Sequence, residues 1–355
     1  MKLKTKKILI ATVAVLLTFL IVISGLYVNE IRSLLSISRI DDYGMFQMRY
    51  YGDYGFDEFL KEGAQNDREL EQFITSRLLK GLPIDLGITD EAGCTVFIVR
   101  NEKGEVIMGR NFDFAEYAPS MQVITAPKNG YKSVSTANLS FAGYNSPDKL
   151  PSGLNVESFL ALAAPYMPFD GMNEAGVAIA LLAVPEYSYI MDSEKVTLNT
   201  STAIRLVLDK AGTVEEAVDL LRQYNIYFSG DIYCHFLIAD KSGKSVLVEY
   251  YDGELKTVRT SEDYQIASNF IAYNNLNIGE GFSEFERYDS VEERILSNSG
   301  KLTEAQIIDL LAEVGVYNEN KNYLQWSVVY NLSTGDTQIF ANRNTDNIVK
   351  CSLFA

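Results

Sequence analysis

The chain has one histidine, three cysteines and one tryptophan in 355 residues. With His235 the only imidazole, Ser–His or Cys–His catalysis must use it or be absent. A histidine-rich zinc or iron site is excluded for the same reason. Three cysteines make neither a disulfide scaffold nor a four-thiolate zinc site. Positive charge is also short: 31 Lys/Arg stand against 47 Asp/Glu, a formal net charge of −16. A nucleic-acid binder needs a basic face to neutralise phosphates, so no nucleic-acid partner is expected. Prolines number only eight, and no Pro/Ser-rich linker interrupts residues 90–355, which reads as one domain. The chain does have an ordinary globular composition, 47% hydrophobic and 22% charged, in a length that supports a sizeable core.

The scarce positive charge is concentrated at the start. Residues 1–7 hold four lysines and no acid, and Ile8–Val28 is an apolar stretch of 21 residues without charge. At about 1.5 Å per residue this run matches a bilayer core of about 30 Å. The expectation is a single-pass anchor over residues 1–28, with the lysines cytoplasmic and the rest outside the cell. A cleavable signal peptide is the competing reading and would give a secreted protein, although Ser24-Gly25-Leu26-Tyr27 is a poor cleavage site. The net −16 divides into +5 over residues 1–40 and −21 over residues 41–355.

Residues 29–93 are expected to be a juxtamembrane linker followed by a helical, propeptide-like segment. The linker is rich in Tyr, Gly, Ser and Asp to about residue 55. The helical pattern runs over residues 56–80 and stops at Gly81-Leu82-Pro83. From residue 94 four segments share one layout, two apolar runs around a polar turn ending in glycine. The turns are Asn101–Gly104, Met172–Gly176, Asp240–Gly243 and Leu332–Gly335, each read as a β-hairpin. Thr213–Glu216 and Thr303–Gln306 have capping-box spacing, and residues 200–210 and 283–297 are further helix candidates. The predicted fold class is α+β, two antiparallel sheets packed together with helices outside. Tyrosines at 43–54 and 186–190 are candidates to line an apolar pocket, with surface or linker use the alternative.

Cys94 follows Glu91-Ala92-Gly93 and is followed sixteen residues later by Arg110, with Asp113 close behind. If residues 94–100 and 105–111 pair, Arg110 and Asp113 return to the same end as Cys94. A nearby cation favours the thiolate, the reactive form. On spacing alone the plainer reading stays open: Cys94 as a small core residue and Arg110 with Asp113 as a surface pair. Cys234 and His235 are neighbours on a strand and point to opposite faces, so they form no dyad. Cys234 and Cys351 could pair outside the cell. Asn173 reads as a turn residue.

The stretch from Cys94 to Phe114 resembles the mature N-terminus of the choloylglycine hydrolase family, the linear amide C–N hydrolases. That family includes bile salt hydrolases and penicillin V acylases and is related to acid ceramidase. Residues 169–185, 239–250, 264–270 and 285–295 are similar to later family segments in the same order. The resemblance implies an N-terminal nucleophile hydrolase, a four-layer αββα sandwich over residues 94–355, with no metal and no cofactor. It implies cleavage before Cys94, whose freed α-amine then serves as the base in place of a histidine. It also implies roles: Cys94 as nucleophile, Asp113 holding the α-amine, Arg110 supporting thiolate and substrate, Asn269 donating to the oxyanion, and Arg287 ordering the network. The substrate implied is a small linear amide carrying an apolar acyl group.

The chain departs from the family pattern in two places. The strand that ends in an oxyanion-donating asparagine in bile salt hydrolases ends here in Ala180-Leu181-Leu182-Ala183. And 93 residues precede Cys94, closer to the layout of acid ceramidase than to a short propeptide. The first departure motivates one alternative to the hydrolase, a non-catalytic surface-binding relative; a third reading keeps the chemistry but passes the acyl group to an amine, making an acyltransferase.

Overall fold

The computed structural model describes residues 25, 27–84, 86, 92–187, 189–279, 284–318 and 321–354. The expected anchor lies outside the described residues except at Gly25, Tyr27 and Val28. Among the described residues no helix is long and apolar enough to cross a membrane.

All four expected hairpins form. Their arms are Ala92–Arg100 with Val106–Phe114, Pro168–Asn173 with Val177–Ala183, Cys234–Asp240 with Ser245–Tyr251, and Leu324–Asn331 with Asp336–Ala341. The turn glycines Gly104, Gly176, Gly243 and Gly335 have φ of +80°, +85°, +93° and +76°. These are left-handed conformations that cost a residue with a Cβ. The first and last hairpins join in a six-stranded antiparallel sheet, through Val106–Phe114 beside Leu324–Asn331. The second and third join in a nine-stranded sheet, through Val177–Ala183 beside Cys234–Asp240.

Strand alternation explains the layering. Cys94, Val96 and Ile98 face the large core between the sheets. Phe97 and Val99 face outward, onto Val291 and Ile295 of the helix Glu284–Ser297 and Ile307 and Leu311 of the helix Glu304–Val314. On the far side, the helices Thr200–Lys210 and Val214–Leu221 cover the nine-stranded sheet. The result is the αββα arrangement. Thr303 and Gln306 complete their capping box. At the other predicted box, Thr213 accepts from the Glu216 amide, but the Glu216 carboxylate takes the amide of Gly212 instead of Thr213.

Residues 29–55 are not a linker. Val28–Leu35 is a helix, and Met45–Arg49 is a strand running parallel to Ser120–Thr125 in the nine-stranded sheet. Met45, Phe46 and Met48 are buried there, an apolar set hidden among tyrosines and glycines that suggested a loop. The Tyr54 hydroxyl donates to Asp209 at 2.7 Å. Residues 56–80 form two helices, Phe56–Glu62 and Asp67–Arg77, broken at Gly63 (φ +65°). Their Phe56, Phe59 and Phe73 cluster around Tyr166 of the body. Each buried ring is worth about 1.5–3 kcal/mol, so the segment before Cys94 is built into the fold.

Candidate active site

The first hairpin sets the geometry. Its register opposes Cys94 to Phe112, Gly93 to Asp113 and Val96 to Arg110. All three predicted residues therefore meet at one end of the hairpin, but on different faces. Cys94 and Arg110 face the core between the sheets, whereas Asp113 faces the layer of Arg287.

Asn269 and Arg287 close around the main chain of Cys94. The Cys94 amide, a peptide N–H in the uncut chain, donates to Asn269 Oδ1 at 2.6 Å. Arg287 donates to the same Oδ1 at 2.7 Å, to the Cys94 carbonyl at 2.5 Å and to Thr95 Oγ1 at 2.7 Å. Two donors on one oxygen fix which way the Asn269 amide points. Its Nδ2 donates to the Ala183 carbonyl at 2.8 Å. In the uncut chain, then, the Asn269 donor is engaged with Ala183.

The Cys94 thiol is fully buried, which pushes its pKa up. The Arg110 cation pulls it down, the Asp113 carboxylate raises it, and Arg287 and a hydrogen bond from the Ala183 backbone lower it. That backbone contact addresses the missing asparagine. The next amide, Val184, donates to Tyr233 across the strand pair. Antiparallel strands alternate, so the Ala183 N–H is turned to the other side of its strand. Asp113 accepts from the Val316 amide at 2.7 Å and lies 4.0 Å from Arg287. Burial nonetheless raises its pKa to about 6.

Three contributors were not assigned roles from the sequence. Asp170 is buried and pairs with Arg110 at 2.7 Å. Trp326 Nε1 and the Tyr330 hydroxyl donate to its carboxylate at 3.2 and 2.5 Å. Ser268 Oγ donates to the Cys94 carbonyl at 3.2 Å. Glu249, also buried, accepts from the amides of Ala272 and Tyr273 at 2.9 Å each, just past Asn269, and meets His235 Nδ1 at 3.0 Å. The aspartate of the Asp170-Gly171-Met172-Asn173 run was a usable signal; Ser268 and Glu249 had none.

The remaining expectations resolve as follows. His235 and Cys234 face opposite ways: His235 meets Glu249, while Cys234 lines a pocket. Asn173 is a turn residue, its Oδ1 accepting from Ala175 and Val177. All three cysteines are free thiols. Cys234 and Cys351 sit in different sheets, so the suggested disulfide does not form.

An apolar pocket of about 50 Å³ approaches the site; Phe112, the strand partner of Cys94, is in its wall, while Cys94 itself does not line it. Phe112, Leu181, Ala183 and Cys234 bring it up to the site, and Leu70 and Leu86 of the segment before Cys94 complete its wall. Among the described residues Tyr166 is its one lining tyrosine, so the clusters at 43–54 and 186–190 do not form it. Among the described residues no cluster of His, Cys, Asp and Glu could hold a metal.

The model of the linear amide C–N hydrolases, choloylglycine hydrolase family, matches residues 94–296, beginning at Cys94. The chain belongs to that family. A penicillin V acylase of Pectobacterium atrosepticum is 32% identical over 111 residues, 28% of this chain and 29% of that protein. The match thus spans under a third of that relative. A conjugated bile acid hydrolase of Clostridium perfringens has the same fold (TM-score 0.54, 18% identity, 73% of this chain and 92% of that one). So does a penicillin V acylase of Agrobacterium tumefaciens (TM-score 0.52, 20% identity, 74% and 86%). The likeness to these two solved structures, with the αββα layering, fits an α+β fold like that of the N-terminal nucleophile hydrolases.

Proposed function

We propose that the chain is a cysteine amidase that hydrolyses linear, non-peptide amides with an apolar acyl group, after cleavage between Gly93 and Cys94. The observation that carries this reading is the ring of Asn269 and Arg287 around the Cys94 main chain, with an apolar pocket that reaches Phe112, the strand partner of Cys94. In the processing step Cys94 Sγ attacks the Gly93 carbonyl carbon and the Cys94 nitrogen leaves as an α-amine. Water then hydrolyses the resulting thioester, returning the thiol and a Gly93 carboxylate. The α-amine, with an ordinary pKa of about 8, accepts the thiol proton in each turnover. The thiolate attacks the substrate carbonyl, the amine product leaves with a proton, and water releases the acid. Asp113, opposite Gly93, is the group that holds the new α-amine. Arg110 stabilises the thiolate, and the Ala183 N–H supplies the oxyanion donor that the side chain at 183 lacks.

Mass spectrometry of the purified chain tests the processing, with a mature N-terminus at Cys94 expected. A panel of acyl amides run with wild type and Cys94→Ala tests the chemistry. An uncut chain that turns over no amide and whose thiol resists alkylation would sink the reading. The lysines and apolar run at the start support placing the domain outside the cell on an uncleaved anchor. Protease treatment of intact cells checks this: digestion of the domain is expected, and full protection overturns it.

A further inference from the structure

The carboxylate of Asp170 is reached from the opposite sheet by three side chains at once. In the six-stranded sheet Trp326 is the strand partner of Phe112, Val328 of Arg110 and Tyr330 of Met108. Alternation along the strands therefore puts Arg110, Trp326 and Tyr330 on one face, with Arg110 between the other two. All three converge on Asp170. Arg110 Nε lies 2.7 Å from Oδ2, Trp326 Nε1 donates to the same oxygen at 3.2 Å, and the Tyr330 hydroxyl donates to Oδ1 at 2.5 Å. On the strand of Asp170 the register slips, with Thr136 opposing Asp170 but Ala137 opposing Pro168. Such a bulge re-aims a side chain.

All four side chains are fully buried. A buried ion pair is a weak source of stability, because taking both charges out of water offsets most of their attraction. The pair also leaves a donor unspent: Arg110 Nη1 is buried without a hydrogen-bond partner. Arg110 Nη2 donates to the Leu181 carbonyl at 3.5 Å, and the guanidinium lies 5.0 Å from the centre of the Phe112 ring. Leu181 and Phe112 both line the apolar pocket, and Phe112 is the strand partner of Cys94. The cation thus backs the pocket wall next to the thiol, and Asp170 is what holds it there.

We propose that Asp170 is a positioning residue: clasped by Trp326 and Tyr330, it fixes the Arg110 cation against the pocket wall, beside the Cys94 thiolate. The inference rests on the hydrolase reading above and adds a residue that acts through Arg110.

The test follows alkylation of Cys94 by iodoacetamide across pH, with each cysteine peptide quantified separately by mass spectrometry, and kcat/KM for an acyl amide across the same range. Asp170→Asn removes the charge but keeps an acceptor for Trp326 and Tyr330. It should move both profiles to higher pH and slow alkylation at pH 7 by about tenfold. Arg110→Met should do the same, and the double variant should be no slower than the slower single variant. Tyr330→Phe leaves both charges in place and should slow alkylation about two- to threefold. Emission of Trp326, the single tryptophan, reports whether each variant is folded. If Asp170→Asn does not fold, Tyr330→Phe decides, and an unchanged profile overturns the proposal. A profile unmoved or moved to lower pH in Asp170→Asn, or losses that multiply in the double variant, also overturns it and leaves the hydrolase reading standing. Alkylation that depends on Asp170 in a chain that turns over no amide keeps the positioning role and overturns the hydrolase.

Discussion

Asp113 and Cys94 share one end of a hairpin but point to opposite faces of its sheet. Asp113 is the strand partner of Gly93 and faces Arg287, while the Cys94 thiol faces the core between the sheets. The Cys94 nitrogen lies between these faces as a peptide N–H donating to Asn269, and in the proposed processing step it would become the amine base.

Asp113 gives a pH prediction. Burial raises its pKa from 3.8 to about 6. In the folded chain it thus holds a proton that the unfolded chain has already lost. Its contribution is fully present below about pH 4 and is lost as pH rises toward 6. At pH 7 the buried charge costs on the order of 3 kcal/mol. Asp113→Asn keeps an acceptor for the Val316 amide. It should unfold at higher denaturant than wild type at pH 7, with the gap closing by pH 4, and should fail to process. Equal denaturation midpoints at both pH values would count against the raised pKa.

Arg110 and Asp170 are both fully buried. Removing one partner strands the other charge, so Arg110→Met or Asp170→Leu alone should cost about 3–5 kcal/mol, and the double variant less than either. Chemical denaturation of the three variants gives the coupling energy. Strict additivity would mean that the pair is not coupled.

Glu249 touches neither Cys94 nor the pocket, but it holds the two amides that follow the Asn269 segment. Glu249→Ala should lower kcat by about tenfold or more with KM little changed. Glu249→Gln, which keeps a carbonyl acceptor, should recover part of the loss. A rise in KM alone would point to a pocket defect instead.

The segment before Cys94 should outlast its own cleavage. Phe56, Phe59, Leu70 and Ile74 are buried, and Met45–Arg49 is hydrogen-bonded into the sheet. Four side chains at about 1.5–3 kcal/mol each approach the stability of a whole domain. After processing, the two pieces should co-purify in native buffer and separate only in denaturant. Loss of the N-terminal piece on native gel filtration would contradict this.

The hairpins were legible because each joined an alternating apolar pattern to a turn glycine, a short-range signal. The meeting of Cys94, Arg110 and Asp113 followed from hairpin register, but their division between faces needed parity counted across paired strands. The strand Met45–Arg49 was hidden because five residues carry little periodicity. Its parallel partner also lies about 75 positions away. Asp170 was visible as a motif residue, and only the tertiary fold shows that it is the counter-ion of Arg110. Glu249 and Ser268 act through backbone groups, which leave no pattern of residue types to find.

Leu70 and Leu86 precede the bond proposed to break, yet they form part of the pocket wall. Once that bond is cut, recognition and chemistry would belong to separate polypeptides. The upstream piece would then be a detachable selectivity subunit: exchanging it between related chains should alter which acyl groups are accepted while the nucleophile, its base and its oxyanion donor stay with the downstream piece.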